Sequence, residues 1–134
     1  MLTAASHAAA IWFATLPVAA GAALVQMPPS GTSVDLFEVL IDDVGGESWL
    51  RFRFLAPQIA RADGIVTYSD LVDDFAYLCE RVALPYLAEY DLNASVIVVS
   101  LLDRPVAFGA ADPDATQFID AFRVTSGACE WEAF

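Results

Sequence analysis

Residues 95–102 read Ser-Val-Ile-Val-Val-Ser-Leu-Leu, a stretch that is apolar at nearly every position. A strand of this composition has no polar face to offer to water. We therefore expect it to be the central strand of a sheet, covered on both faces for part of its length. Asp103-Arg104-Pro105 then turns the chain out of the strand.

A hairpin is predicted upstream of this strand. Residues 36–41 and 48–55 both alternate with a period of two, and residues 42–46 (Asp-Asp-Val-Gly-Gly) form a turn between them. The second strand carries Leu50, Phe52 and Phe54 on one face and Trp49, Arg51 and Arg53 on the other. This pattern predicts a hairpin with one dry face and one wet face.

One main helix is predicted between the hairpin and the central strand. Thr67 or Ser69 is a suitable N-cap, and Pro85 ends or kinks the helix. The apolar residues between them follow the helical period: Leu71, Phe75, Leu78, Cys79 and Val82. Such a stripe indicates a helix that packs against the sheet along one side.

Further short elements are predicted after the central strand. Asp112-Pro113-Asp114 has the pattern of an N-cap with proline at the first helical position, which predicts a short helical turn. Residues 118–124 and 129–134 read as two more strands. The order is β-β-α-β-β-β, so we expect an α+β fold with an antiparallel sheet of about five strands and one main helix packed on it.

The first 34 residues contain no Asp, Glu, Lys or Arg, and residues 8–25 are apolar or small. Ala20-Gly21-Ala22 matches the small-x-small pattern of a signal-peptidase site. We expect residues 1–26 to be a signal peptide or a membrane anchor, 27–33 a linker and 34–134 a single domain. A buried N-terminal helix is the third alternative. Both leading alternatives predict a periplasmic domain, either soluble after cleavage or anchored by residues 8–25.

The two cysteines, Cys79 and Cys129, lie on predicted faces that meet if the last strand packs under the helix. An exported protein reaches an oxidising compartment, so we predict a disulfide between them. The alternative is two buried free thiols.

Composition excludes several kinds of chemistry. With 18 acidic residues, six arginines and no lysine, the net charge is −12, which disfavours binding to nucleic acid. The only histidine, His7, lies in the predicted leader, and there is no phosphate-binding glycine motif. We therefore expect no cofactor and no metal, and a protein partner rather than a nucleic acid. Contact with a membrane is expected only through the N-terminal segment, if it is not cleaved.

Carboxylates are the remaining candidates for catalysis. Asp103, Asp112 and Asp114 form the best group, because a paired-carboxylate hydrolase needs two of them at one cleft. The alternative interpretation is that they are turn and cap residues, since Asp-Arg-Pro and Asp-Pro-Asp are common turn sequences.

Trp49, Arg51 and Arg53 are the candidate binding residues. Tryptophan and arginine are enriched at the centres of protein interfaces. The structural alternative is that the arginines form cross-strand pairs with acidic side chains, namely Glu38, Glu130 or Glu132.

Residues 34–134 also resemble a known group of proteins. The matching segments are 50–57 (Leu-Arg-Phe-Arg-Phe-Leu-Ala-Pro), 59–61 (Ile-Ala-Arg), Cys79, 84–85 (Leu-Pro), 103–109 (Asp-Arg-Pro-Val-Ala-Phe-Gly), 115–118 (Ala-Thr-Gln-Phe) and 127–132 (Gly-Ala-Cys-Glu-Trp-Glu). They are similar to a small family of uncharacterised exported alphaproteobacterial proteins with a domain of unknown function. Some members carry an automatic label of acetolactate synthase, which does not fit a chain this short that lacks the metal-pyrophosphate motif. The resemblance implies compartment and fold pattern but no transferable catalytic residues.

Three functional hypotheses follow from the sequence. The leading one is a non-catalytic periplasmic accessory or interaction protein, for which a membrane complex is a suitable partner. The second is a carboxylate-based hydrolase or carbohydrate-active domain. The third is a module that binds a small ligand between helix and sheet.

Overall fold

The computed structural model of the protein describes residues 14–18, 26–61 and 64–133. Its strands and helices, in chain order, are β1 (Ala14–Leu16), β2 (Asp35–Val44), β3 (Glu47–Leu55), a 3-10 turn (Pro57–Ile59), α1 (Tyr68–Leu78), a π-helical turn (Cys79–Ala83), α2 (Leu84–Glu89), β4 (Val96–Leu102), β5 (Gln117–Thr125) and β6 (Ala128–Trp131). In this part of the chain they form one six-stranded sheet and one helical segment, an α+β architecture.

The strands lie in the sheet in the order in which they occur in the chain, from β1 to β6. The apolar strand β4 is therefore central, between β3 and β5, and all seven of its residues are buried. This confirms the prediction made from residues 95–102. A strand with no exposed side chain needs a layer on each face of the sheet.

The expectation of a purely antiparallel sheet of about five strands is wrong. β3 and β4 run parallel, with Leu50 opposite Ile97 and Leu55 opposite Leu102, whereas the other neighbours are antiparallel. The reason is the helical segment between them, because a chain that crosses over a sheet through a helix returns in its original direction. The strand that was not predicted is β1, which pairs with β2.

The helical segment begins as its sequence predicts. Thr67 is the N-cap, and the Asp70 carboxylate accepts the Thr67 backbone N–H at 2.8 Å. This bond to the Thr67 N–H lowers the pKa of Asp70. Regular α-helical bonding stops at Leu78, the π-helical turn follows, and α2 continues past Pro85. Pro85 lies in the first turn of α2, where a missing N–H is tolerated. The proline therefore interrupts the α-helix without ending the helical segment.

The core lies between this helical segment and one face of the sheet. The predicted stripe is buried in full, as is the predicted dry face of β3: Leu71, Phe75, Leu78, Cys79, Val82, Leu50, Phe52 and Phe54. The Phe52 ring meets the Tyr86 ring of α2 edge-on, with centroids 5.3 Å apart. Hence the even-numbered side chains of β3 face the helix, and Trp49, Arg51 and Arg53 lie on the opposite face.

Two elements near the C-terminus differ from their predictions. Residues 112–114 form a turn and not a helical turn, because the Asp112 carboxylate accepts the Asp114 N–H at 3.0 Å and the chain then enters β5. The last strand, β6, ends at Trp131, and Phe134 lies outside the described residues.

Part of the predicted N-terminal segment contacts the sheet. β1 pairs with residues 39–41 of β2, and Gln26 forms a bridge with Val34. Between these two, Ser30 donates its backbone N–H and its hydroxyl to the Asp74 carboxylate of α1. Residues 1–13 and 19–25, which contain most of the predicted targeting segment and its cleavage motif, lie outside the described residues. Among the described helices, none is long and apolar enough to cross a bilayer.

The predicted disulfide is present. Cys79, at the start of the π-helical turn, is bonded to Cys129 of β6, with Cα atoms 6.4 Å apart and 50 residues of separation. It fastens the outer strand β6 to the helical layer. Because β6 has only four residues, the bond adds a constraint that its strand pairing alone would supply weakly.

Reduction of this disulfide should lower the free energy of unfolding by about 4 kcal/mol, the value expected for closing a loop of this length. Urea unfolding of the oxidised and the reduced protein measures the difference. The variant Cys79→Ala/Cys129→Ala serves as the control, since reductant should leave its unfolding midpoint unchanged. Equal midpoints for the oxidised and reduced wild-type protein would contradict a stabilising role.

Candidate functional site

The face of the sheet opposite the helix carries a layer of arginine and aromatic side chains. We call it the arginine–aromatic layer and define it by five residues: Phe37, Trp49, Arg51, Arg53 and Phe108. It lies over the open side of the buried strand β4, because Arg51 and Arg53 stand beside Val98 and Ser100 in the strand register. The sequence predicted that this face is exposed to water, and that prediction is wrong here, because Val98 and Ser100 are only 3% and 4% exposed.

Arg53 is the most buried member of the layer, with 3% of its side chain exposed. Its guanidinium forms an ion pair with Glu38 and donates to the Val106 carbonyl at 2.7 Å. The predicted cross-strand pair with Glu38 is thus present, since the two residues are direct neighbours in β2 and β3. The second bond was not predicted, and it attaches the loop after β4 to the sheet.

Arg51 is held more loosely. Its nearest carboxylate, Asp42, accepts at 3.3 and 3.4 Å, and 20% of the Arg51 side chain is exposed. The guanidinium carbon lies 5.5 Å from the Trp49 ring centre and 5.2 Å from that of Phe108. Arg51 is therefore held between two aromatic rings as well as by its carboxylate.

Phe108 joins the two arginines and reaches the surface. Its ring centre is 5.2 Å from the Arg51 guanidinium carbon and 5.6 Å from that of Arg53, and 38% of the residue is exposed. It lies in a tight turn in which Ala110 donates to the Ala107 carbonyl at 2.9 Å. Gly109 has a φ of +84°, a conformation that side chains disfavour, so the turn requires glycine there.

Asp103 closes the base of the loop that presents Phe108. Its carboxylate accepts the Thr116 N–H at 2.7 Å and two Arg104 N–H groups at 2.9 and 3.0 Å, and its own N–H donates to the Thr116 carbonyl. Burial raises the pKa of Asp103, but the bonds from Arg104 and Thr116 outweigh this effect, and the pKa lies below the usual value of an aspartate. Asp103 thus ties together both ends of the loop 103–116.

The three candidate catalytic carboxylates have separate structural roles. Asp103 is buried with both oxygens bonded, Asp112 closes its own turn, and Asp114 is exposed. Arg104 is the group they share, because Asp103 raises its pKa through a hydrogen bond and Asp112 and Asp114 add smaller electrostatic contributions. This arrangement resembles a loop clamp more than an acid and a base facing one cleft.

Glu130 of β6 and Glu132, which follows β6, form no ion pair with the arginines of β3 among the described contacts. Glu132 instead binds Arg123 at 2.6 Å, and Glu47 binds the same guanidinium at 2.8 Å. Two strands, β4 and β5, lie between β3 and β6, which explains why the expected pairs with Glu130 and Glu132 are absent for Arg51 and Arg53 among the ion pairs described. The bonds from Glu132 and Glu47 raise the pKa of Arg123.

A second polar cluster joins the start of α1 to β5 and β6. Asp120 accepts from the Tyr68 hydroxyl and from the Trp131 indole N–H, both at 2.6 Å. The bond to Asp120 raises the pKa of Tyr68. Trp131 is 60% exposed despite this bond. The sequence had no signal for the cluster, because its members come from the helix and two different strands.

Depressions lined by described residues also lie away from the arginine–aromatic layer, among them one of about 340 Å³ between α2 and the end of β5. A larger one, of about 450 Å³, is lined by residues near the 3-10 turn and the start of β5: Ile59, Arg61, Gly64, Ile65, Val66, Ala115, Thr116, Gln117 and Phe118. Another, of about 310 Å³, lies beside Ile119 and Trp131. Within the described residues, no group of three or more His, Cys, Asp or Glu side chains is arranged to hold a metal ion.

The fold and this layer define a small disulfide-bonded α+β domain with a mixed sheet, whose second face is covered by a clamped loop. The chain matches the model of a family of unknown function (DUF6497) over residues 8–134, and it belongs to that family. Comparison with curated proteins and with solved structures finds no significant match.

Replacing Arg53 should destabilise the protein much more than replacing Arg51. Arg53→Met leaves Glu38 and the Val106 carbonyl without their buried partner, at a cost of about 3 kcal/mol. Arg51→Met is the matched control on the same face of β3. It removes a longer ion pair, at 3.3 Å, whose arginine is more exposed (20% against 3%), so we expect a smaller loss than for Arg53→Met. Urea unfolding measures both. Equal losses would contradict the distinct role assigned to Arg53.

The Asp103 clamp should contribute stability that depends on pH. Because the folded-state pKa of Asp103 is depressed, its contribution is present above the unfolded pKa of about 3.9. It is lost as pH falls from there through the folded pKa. The stability gap between wild type and Asp103→Asn should therefore be larger at pH 7 than at pH 3 in urea unfolding. Asp114→Asn is the control, and a gap for Asp103→Asn that does not shrink would contradict the clamp.

Proposed function

We propose that this domain is a non-catalytic interaction protein that acts in the periplasm, with a protein partner bound at the arginine–aromatic layer. The observation that carries the proposal is the position of Phe108. A loop clamped at its base holds this ring over Arg51 and Arg53 and leaves 38% of the residue exposed. Aromatic and arginine side chains on a rigid support are typical of the energetic centres of interfaces.

The charge of the chain favours a particular kind of partner. Four of the six arginines are paired with carboxylates. Many acidic residues outside these ion pairs are exposed, among them Asp70, Asp73, Glu80, Glu89 and Asp114. A net charge of −12 attracts a basic protein surface and repels nucleic acid. An accessory role on a membrane complex fits such a partner.

Export is proposed from the uncharged N-terminal segment and its small-x-small motif. The Cys79–Cys129 disulfide supports the proposal, because disulfides persist mainly in oxidising compartments. The domain would then be soluble after cleavage, or anchored if the segment stays attached.

The two other hypotheses receive less support. A carboxylate hydrolase is disfavoured because Asp103 has both oxygens bonded and Asp112 closes a turn. A ligand between helix and sheet is disfavoured because the facing side chains Phe52, Phe54, Phe75 and Leu78 have no exposed surface. The depression of about 450 Å³ lies outside that interface.

Phe108→Ala should reduce partner recovery by about 30-fold, the effect of removing an interface hot spot. The test is chemical crosslinking in the native host, followed by purification of the tagged chain and quantitative mass spectrometry. Val72→Ala is the matched control, because Val72 is an apolar residue of similar exposure (42%) on the other side of the sheet. Urea unfolding checks that both variants are folded.

Undiminished recovery of the same partner with Phe108→Ala would overturn the proposed surface. Specific hydrolytic turnover by the purified wild-type protein, lost in Asp103→Asn but not in Phe108→Ala, would replace the proposal with the hydrolase hypothesis.

A further inference from the structure

The edge strand β1 makes a short and separable contact with the sheet. Its three residues pair antiparallel with β2, with Ala14 opposite Ile41, Thr15 opposite Leu40 and Leu16 opposite Val39. β2 itself has ten residues, so β1 covers only the middle of this edge. We call the strip of β2 beneath β1, together with the Tyr86 hydroxyl, the β1 lane.

Side-chain contacts, and not strand pairing alone, hold the segment that occupies the β1 lane. The buried Tyr86 donates its hydroxyl to the Pro17 carbonyl, and Leu16 and Val18 pack against the core. Burial raises the pKa of Tyr86 to about 12, so its hydroxyl remains a donor at neutral pH. The β1 lane therefore favours an extended segment with apolar side chains at two alternate positions. The backbone carbonyl of the residue between them must be free to accept the Tyr86 hydroxyl.

The segment that fills the lane lies upstream of the predicted cleavage motif, Ala20-Gly21-Ala22. Cleavage after Ala22 would separate β1 from the domain and expose the backbone edge of residues 39–41. It would also remove the hydrogen-bond acceptor of Tyr86. An exposed strand edge beside a buried, unpaired hydroxyl is a site at which an extended peptide binds well.

We propose that the β1 lane is a strand-docking site of the processed protein, filled by an extended apolar segment of a partner protein that pairs antiparallel with β2. The proposal rests on the proposed export and extends the proposed function. A second copy of the chain is a poor occupant, since each copy carries a net charge of −12. The natural occupant should present a large apolar side chain where Leu16 lies, an apolar one where Val18 lies, and a backbone carbonyl where Pro17 lies.

The test uses the processed protein purified from its native host, after intact mass has located its first residue. The probe is a fluorescein-labelled peptide of residues 12–19 (Trp-Phe-Ala-Thr-Leu-Pro-Val-Ala), and its binding is followed by fluorescence anisotropy. We expect saturable binding, slower amide hydrogen exchange at residues 39–41, and at least about tenfold weaker binding of the same peptide with Leu16→Asp.

Variants of the protein test the Tyr86 contact. Tyr86→Phe removes the donor and keeps the ring, so it should weaken peptide binding about fivefold. Tyr77→Phe is the matched control, because it removes the hydroxyl of another tyrosine of the helical segment, whose ring contacts Arg81 and not Pro17. It should leave the affinity unchanged.

Three results would overturn the proposal. They are an exported protein whose mass retains residues 14–18, a processed protein that does not bind the peptide, and a processed protein whose edge is occupied in a concentration-dependent dimer. If Phe108→Ala loses its partner but the processed wild-type protein does not bind the peptide, the docking site at the β1 lane is wrong and the proposed function stands. If the peptide displaces the partner and Phe108→Ala recovers the partner undiminished, the partner binds at the β1 lane and not at the arginine–aromatic layer.

Discussion

The fold depends on burying β4 on both of its faces. All seven residues of this strand are buried, and a strand of this kind is stable only if each side of the sheet is covered. The helical segment supplies one cover through an apolar interface with Phe52 and Phe75 at its centre. The same segment sets the parallel direction of β4 against β3, because it carries the chain back across the sheet.

The other cover is built from charged and aromatic side chains instead of a second helix. Arg51 and Arg53 lie beside Val98 and Ser100 of β4, and their guanidinium groups contact carboxylates and aromatic rings. The loop 103–116 completes this cover, and it is held at its base by Asp103 and across the face by Arg53. Structure and proposed binding surface are therefore linked, since the contacts that bury β4 also present Phe108.

The two borders of the sheet are secured by different means. β6 is short, and the Cys79–Cys129 disulfide joins it to the helical segment. Asp120 of β5 adds a second link, since it accepts hydrogen bonds from Tyr68 of α1 and Trp131 of β6. β1 is shorter still, and among the described residues it and the two residues that follow it add the Tyr86–Pro17 bond and the apolar side chains of Leu16 and Val18. One border is fastened to the helical layer by a disulfide and the other is held to the sheet by non-covalent contacts, which is why we propose exchange with a partner at the second.

Local sequence determined much of this protein. The apolar run at 95–102, the alternation along β3 and the helical stripe from Leu71 to Val82 were predicted, because each follows from a periodicity that burial imposes on nearby residues. The pairing of Cys79 with Cys129 was predicted on further grounds, namely that the chain has two cysteines and an expected export signal. The tertiary structure alone decided the parallel pairing of β3 and β4, the meeting of Phe108 with the β3 arginines and the capture of Thr116 by Asp103. These contacts join residues that are far apart in the chain, and no local periodicity encodes which distant partners the folded sheet brings together.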